Sequence, residues 1–401
     1  MRSSQGFMGK KWDGGDIAMN LETWRSLSQH LLPGAFMFVF AGTLNDDLIS
    51  VAMREAGLVK FHSLKHWGYE GIQLGWATGQ GFPKATRLDK QIDFEAGKKR
   101  DIISTRFVHN IRNGKYINGV GKIRINITAP KTPLARAWAG HRYGQQALKP
   151  SLETILIFHK PYEYKPVNSI VEHGAGALNV DGGRINMKFQ KQAGRWPANL
   201  CLSHSPDCTD SECVDGCPVS ELDQQSGDVQ GGRPVLRRIA RTGFLSGITK
   251  SGETGFSGYN DNGGASRFFF VADYVAERLE QTAGVFYHGK TGRPEKDAGL
   301  KNQNSHPTIK PIALARWLAS LLLPPDSYAP RRLLIPFAGS GSEMIGALLA
   351  GWEDVLGIEM EREYADIAKT RIAWWICQPR DIAEQVMCFN DTESENQLSF
   401  L

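Results

Sequence analysis

The stretch Arg332-Leu333-Leu334-Ile335-Pro336-Phe337-Ala338-Gly339-Ser340-Gly341-Ser342 decides how this chain is read. Arg332–Ile335 has the length and apolar character of a short buried strand, and it runs straight into a loop holding two glycines. Glu343–Ala350 then has helical character, with Gly351 to close it. Asp354–Ile358 reads as a second strand ending in Glu359, and Glu361–Trp374 as an amphipathic helix. Upstream, Pro311–Leu323 is a further amphipathic helix, with Ile312, Ala315, Leu318, Ala319 and Leu322 on one face and Pro324-Pro325 as its stop. This alternation predicts an α/β, Rossmann-like arrangement. A glycine loop between strand and helix lets a ligand approach the backbone closely. Glu359 follows Gly339 by 20 residues, the interval at which a carboxylate meets both hydroxyls of an adenosine ribose. Loop and carboxylate together predict a nucleoside cofactor, and they fit NAD and S-adenosylmethionine equally.

Composition sets the outer bounds. The 401 residues are 41% hydrophobic and 22% charged, which excludes a wholly disordered chain. The length suits one large domain with an insertion, or two domains. The longest apolar runs, Ala35–Gly42 and Leu318–Leu323, fall well short of the roughly 18–20 residues of a membrane span. The first residues carry no apolar core of a secretory signal, and 6 Cys are too few for a disulfide framework. The expectation is a cytoplasmic protein with no membrane partner. Charge is uneven: the net is +5, yet residues 98–165 hold 14 Lys+Arg against 3 Asp+Glu, leaving the remainder at −6. Phe107, Tyr116, Trp138, Tyr143 and Tyr162 are interleaved with these cations. Such a stretch suits a polyanion whose bases can be stacked, and equally an ordinary solvated surface.

The first 60 residues predict more α/β structure. Trp24, Leu27, Leu31 and Leu32 have helical spacing up to Pro33-Gly34, Ala35–Ala41 reads as a buried parallel strand, and Asp46–Gly57 as a second amphipathic helix. Thr154–Phe158 is a further strand. Residues 60–130 are Gly-rich and basic, 165–265 are loop-rich, and 381–401 form an acidic polar tail.

Asn304-Ser305-His306-Pro307-Thr308-Ile309-Lys310-Pro311, then a helix, then Pro-Phe-Ala-Gly-Ser-Gly-Ser, then Gly357-Ile358-Glu359, then Tyr364 and Ala368, resembles the amino-methyltransferases of DNA in their β-class, permuted order. An NAD-binding half leaves the His-Pro-Thr-x-Lys-Pro segment unexplained. Further segments are similar to a phage and prophage branch of these enzymes: Gly6–Asp13, Phe38–Thr43, Gly81–Lys84, Ala147–Pro150, Gly176–Asn179, Gly194–Asn199 and Ser266–Phe269. The resemblance implies S-adenosylmethionine as cofactor, bound by Phe337, Ala338, Gly339, Ser340, Gly341 and Glu359, with His306, Thr308 and Lys310 lining the same site. It implies double-stranded DNA as partner. The implied reaction is methyl transfer to the exocyclic amine of a flipped base, adenine ahead of cytosine. The implied division is a catalytic half at 1–85, a basic, Gly-rich target-recognition insertion at 86–300, a cofactor-binding half at 301–380, and the tail.

Two departures stand out. Ile335 occupies the position where the family usually has an Asp that helps hold the cofactor's ammonium group. No Asp/Asn/Ser-Pro-Pro-Tyr/Phe tetrapeptide, the element that accepts hydrogen bonds from the target amine, occurs in the sequence. In relatives it precedes the segment that here begins at Gly6, so the expectation is a chain that starts late, with one strand of the sheet centre missing. No catalytic residue is therefore assigned, and a catalytically inactive DNA- or cofactor-binding remnant is the alternative function.

Elsewhere, His204, Cys208, Cys213 and Cys217 form His-x3-Cys-x4-Cys-x3-Cys, a set suited to zinc or to reduced surface thiols. Cys201, Cys377 and Cys388 read as ordinary thiols. His306 reads as positional rather than acid–base. Trp67 and Trp76 suit either base stacking or the core, and Lys84 and Lys149 either phosphate contacts or solvent. Arg195-Trp196-Pro197 matches the family without a mechanism.

Overall fold

The computed structural model describes residues 15–43, 45–60, 74–77, 84–108, 111–112, 115–116, 123–148, 150–185, 195–205, 208, 212–230, 235–238, 254–257, 261–271 and 293–377. Two compact units divide the chain. One is Met19–Gly79 with Leu152–Leu401, the other Met1–Ala18 with Gln80–Ser151. The larger unit opens with α1 (Leu21–Gln29), β1 (Phe36–Ala41), α2 (Asp46–Glu55), β2 (Val59–Lys60) and β3 (Leu74–Ala77). The smaller unit supplies β4 (Lys84–Arg87), α3 (Leu88–Glu95), β5 (Ile102–Val108), β6 (Ile111–Arg112), β7 (Lys115–Tyr116), β8 (Ile123–Thr128), α4 (Pro133–Ala137) and β9 (Arg142–Gln146). The larger unit resumes with β10 (Leu152–His159), α5 (Pro166–His173), β11 (Leu200–Leu202), α6 (Pro218–Ser226), β12 (Val235–Arg238), β13 (Thr254–Ser257) and β14 (Phe270–Val271). It ends with α7 (Arg293–Asp297), α8 (Ile312–Leu322), β15 (Arg332–Ile335), α9 (Ser342–Ala350), β16 (Asp354–Gly357) and α10 (Arg362–Ile376).

The fold class is α/β, as the sequence predicts. A mixed sheet in the order β1-β10-β3-β11-β14, with β2 beside the end of β10, makes one half of the larger unit. β10 buries Ile155, Leu156, Ile157 and Phe158 and runs antiparallel to both β1 and β3, while β11 is parallel to β3 and to β14. This corrects the reading of residues 35–41: β1 pairs antiparallel with β10 and is half-buried along most of its length. An apolar run reports burial, and the direction of pairing is set by which strand the fold brings alongside.

The other half is the parallel pair β15–β16, in register from Arg332↔Asp354 to Ile335↔Gly357, with α9 and α10 following their strands in Rossmann-like order. Helix α8 serves both halves. Its Leu314, Trp317, Leu318 and Leu321 join Leu74, Trp76, Ile155 and Ile157 in one core, while its Ile312, Ala313 and Ala319 join Met344, Ile345, Val355 and Ile372 in the other. A helix apolar on every side must be buried on every side. Gly346 lets α9 come against it: a Cβ there would lie 2.6 Å from the Ala315 Cβ.

Two candidate stacking residues are used by the fold instead. Trp76 is fully buried, its indole N–H donating to Ser203 Oγ at 2.8 Å. Tyr162 packs against Gly34 and Gly176 and donates its hydroxyl to the Gly176 carbonyl at 2.7 Å. Trp67, Lys149, Cys388, residues 1–14 and 378–401, and the side chains of Lys84, Phe107 and Tyr116 lie outside the described residues. No helix among the described residues is long and apolar enough to cross a membrane.

The smaller unit consists of antiparallel pairs β4–β9, β5–β8 and β6–β7 with α3 and α4. Its anchor is ionic. Arg100 donates to buried Asp89 at 2.8 Å, to buried Asp93 at 3.0 Å and to Thr128 Oγ1 at 3.0 Å. Asp93 also accepts both backbone N–H groups and the hydroxyl of the Lys131-Thr132 turn that starts α4. Burial alone would raise the Asp89 pKa, but the hydrogen bonds and charges of Arg87 and Arg100 outweigh it and hold it at about 2. A carboxylate depressed in the folded state stabilises above its unfolded pKa, so this contribution is lost as the pH falls from about 4 to about 2. Arg100→Met removes the guanidinium shared by two buried carboxylates, leaving Asp89 to Arg87 and Asp93 to the Lys131-Thr132 donors, and is expected to destabilise the smaller unit by about 3 kcal/mol. Faster native-state proteolysis between residues 84 and 148, relative to the parent, checks it.

Candidate functional site

The sequence-predicted loop lies at the carboxyl end of β15. Gly339 and Gly341 have φ of +53° and +82°, left-handed conformations that suit glycine. A Cβ on Gly339 would come within 2.9 Å of His306 Nε2, and one on Gly341 within 2.9 Å of Ala368 Cβ. The loop is therefore packed on two sides, and its path requires residues without side chains. The Gly341 N–H closes the turn onto the Ala338 carbonyl at 2.8 Å, and Ala338, Ser340 and Ser342 are buried. Phe337 lies at the other extreme, 49% exposed at the loop's start.

Glu359 stands beside the loop, as the spacing predicts. Its Oε2 accepts the Gly339 N–H at 2.8 Å and its Oε1 accepts the Glu361 N–H at 2.8 Å. A carboxylate offers about four lone-pair sites, so two remain for hydroxyl donors. The backbone bonds fix the group's orientation and leave it half-exposed, which fits a vicinal diol.

The 306–310 segment reaches the same place from another element. His306 Nδ1 takes the Thr308 N–H at 3.3 Å, the His306 N–H is held by Asn304 Oδ1 at 3.0 Å, and the ring stands edge-on to Tyr364 at 4.6 Å. Accepting at Nδ1 puts the proton on Nε2, the nitrogen facing Gly339, and makes His306 a spacer for the loop. Thr308 is exposed. Lys310 points to the mixed sheet: its Nζ pairs with Glu153 at 2.6 Å and lies 4.9 Å from the Phe40 ring and 5.6 Å from that of Trp76. Ile335 packs into the apolar core and supplies no polar atom.

Sequence reasoning missed the support beneath the loop. Arg371, fully buried on α10, donates to the Ser340 carbonyl at 2.6 Å and to the hydroxyls of Ser340 and Ser342 at 3.2 and 3.1 Å. It also reaches the carbonyl of Glu295 at 3.2 Å. The Glu295 carboxylate caps α8 by accepting the Ile312 N–H at 2.7 Å. Arg371 lies on the inner face of an amphipathic helix, and a charged residue among apolar ones there was the available signal.

The Arg195 motif gains a role. Arg195 pairs with Asp261, to which Arg267 also lies close, at 3.4 Å, and both guanidinium groups cover the Phe268 ring, at 4.8 and 4.3 Å. The structure also brings His204, Cys208, Cys213 and Cys217 together, with all four potential ligand atoms within 4.8 Å of one another. Burial works to raise the Cys217 thiol pKa, but the N–H groups of Ser220 and Ser205 prevail and lower it to about 7.

No protein-family model matches the chain, and no curated protein matches it. Solved structures similar to it include the following two. The M1.HpyAVI–SAM complex shows 13% identity over 88% of this chain and 81% of its own, with a TM-score of 0.30. TTHA0409 from Thermus thermophilus, provisionally named a DNA modification methylase and complexed with S-adenosyl-L-methionine, shows 14% identity over 89% of this chain and 75% of its own, with a TM-score of 0.29.

Burial pushes the Glu295 pKa up to about 7, against the Ile312 N–H, Arg371 and Lys296, which lower it. A carboxyl raised in the folded state costs stability as the pH climbs from about 4.5 toward 7. Glu295→Gln keeps an oxygen for the Ile312 N–H and removes the ionisation. In thermal melts from pH 4.5 to 7.5, the parent should lose stability relative to this variant across that window.

Proposed function

We propose that the chain binds S-adenosylmethionine at Phe337–Gly341 and Glu359 and methylates the exocyclic amine of a flipped DNA base, adenine before cytosine. The carrying observation is the closure of three separate segments on one spot: the left-handed glycine loop, the Glu359 carboxylate with two lone pairs to spare, and the His306 ring against the loop. When bound, S-adenosylmethionine supplies a methyl group on a sulfonium, which an amine can take without a metal or a redox partner. In this reading Glu359 accepts from the ribose hydroxyls and the half-exposed Phe337 ring offers an apolar face. Gly339 and Gly341 admit close approach, and Arg371 keeps the loop from shifting. The ammonium group is held by something other than residue 335.

DNA as partner rests on the smaller unit. Lys98, Lys99, Arg106, Arg124, Arg136 and Arg142 belong to it, with Trp138 and Tyr143 exposed among them. β5 and β8 make a two-stranded antiparallel ribbon, with Arg106 opposite Ile125 and Arg124 opposite Phe107. Such a ribbon is narrow enough for a major groove, and its cations suit phosphates. The smaller unit would then hold target recognition and residues 301–380 the cofactor.

Calorimetry with S-adenosylmethionine should show binding, weakened about 10–100-fold by Glu359→Ala through the lost charge-assisted bonds. Incubation with methyl-labelled cofactor and mixed-sequence duplex DNA should transfer label, and digestion to nucleosides names the base. Binding without transfer would overturn the enzyme reading and leave the inactive cofactor-binding relative. No cofactor binding would overturn the enzyme reading and leave only an inactive DNA-binding remnant.

A further inference from the structure

We propose that His204, Cys208, Cys213 and Cys217 hold one zinc ion in a closed structural site, independent of the cofactor loop. The distances carry it. Tetrahedral zinc with Zn–S of about 2.3 Å and Zn–N of about 2.0–2.1 Å puts sulfur and nitrogen about 3.6 Å apart. His204 Nδ1 lies 3.3 Å from Cys213 Sγ and 3.5 Å from Cys217 Sγ, and all four donor atoms fall within 4.8 Å. Cys208, Cys213 and Cys217 are all free thiols, so the approach is not that of a disulfide. Three thiolates and an imidazole fill the four positions of a tetrahedral ion. That donor set selects zinc over the hard cations and leaves no open place for a substrate.

The backbone converges on this point from two elements. Ser203, next to His204, is tied to the mixed sheet: its N–H goes to the Ala77 carbonyl at 3.1 Å and its hydroxyl takes the Trp76 indole N–H at 2.8 Å. Cys217 is the N-cap of α6, and its carbonyl accepts the Glu221 N–H at 2.8 Å. Cys208 and Cys217 pack with Leu202 and Val219 in a small apolar cluster of their own. From α6, Asp223 holds the N–H and hydroxyl of Ser266, each at 2.7 Å, in the turn that carries Arg267 and Phe268. A metal here fastens strand β11 of the mixed sheet to α6, and through Asp223 to the Arg195–Asp261–Arg267 group. The core beneath this segment is small, so an ion is the physical staple it needs.

Elemental analysis of the purified full chain should give one zinc per chain. Cobalt(II) added after removal of the zinc should give the thiolate charge-transfer absorption of a sulfur-rich tetrahedral site. Cys213→Ser alters the one exposed ligand and leaves the buried Cys208 and Cys217 in place. It should weaken zinc binding by more than about 100-fold, since even outer-shell partners cost 10–100-fold. Cys377→Ser, an exposed thiol outside the cluster, should keep full stoichiometry. Chelation of the parent should speed amide exchange in residues 200–226. Native protein without zinc and with no cobalt–thiolate band, or a Cys213→Ser variant that retains its zinc, would overturn the proposal.

Discussion

Helix α8 has no face to spare for solvent, and that constraint positions the rest of the larger unit. Eight of its eleven residues are buried, some in the core of the mixed sheet and others in that of the parallel pair. Once α8 is seated, the chain immediately before it has little freedom. Lys310 falls within reach of Glu153, Phe40 and Trp76, and His306 lies against Gly339. A segment of five residues thereby touches both halves, which no surface loop could do with the same fixity. Glu295 closes the arrangement by capping the helix from below and meeting Arg371.

The site itself is built mostly of backbone. Loop N–H groups, left-handed glycines and a carboxylate already oriented by two N–H bonds form a surface that a ligand meets without much rearrangement. Preorganisation of this kind saves ordering entropy on binding. The buried Arg371 is what makes it possible, because the Ser340 carbonyl and the two hydroxyls would otherwise lack a strong donor. The smaller unit is organised differently, around the buried Asp89–Arg100–Asp93 group, and it exposes cations and aromatic rings.

What could be read from the sequence was what is local. β15, the glycine loop, α9, β16 and α10 follow from apolar spacing and two glycines within 45 residues, and all stand where the spacing puts them. The Cys and His intervals likewise foretold a cluster, because a short turn and one helix start were enough to close it. Pairing direction was not legible: Phe36–Ala41 is as apolar as a parallel strand, yet β10 arrives from residue 152 and runs against it. Trp76 and Tyr162 looked available for bases because their packing partners, Ser203 and Gly176, lie 127 and 14 residues away. The partnership of Arg371 with Glu295 stayed invisible for the same reason, the two being 76 residues apart and joined only by folding.

In the proposed reading the loop at 337–341 and Glu359 form one preorganised cofactor surface, which hydrogen–deuterium exchange of the full chain with and without S-adenosylmethionine can report. Slowed exchange confined to peptides covering 304–311, 337–343 and 359–364 is the predicted result. Unchanged exchange there at saturating cofactor, or protection appearing only elsewhere, would contradict it.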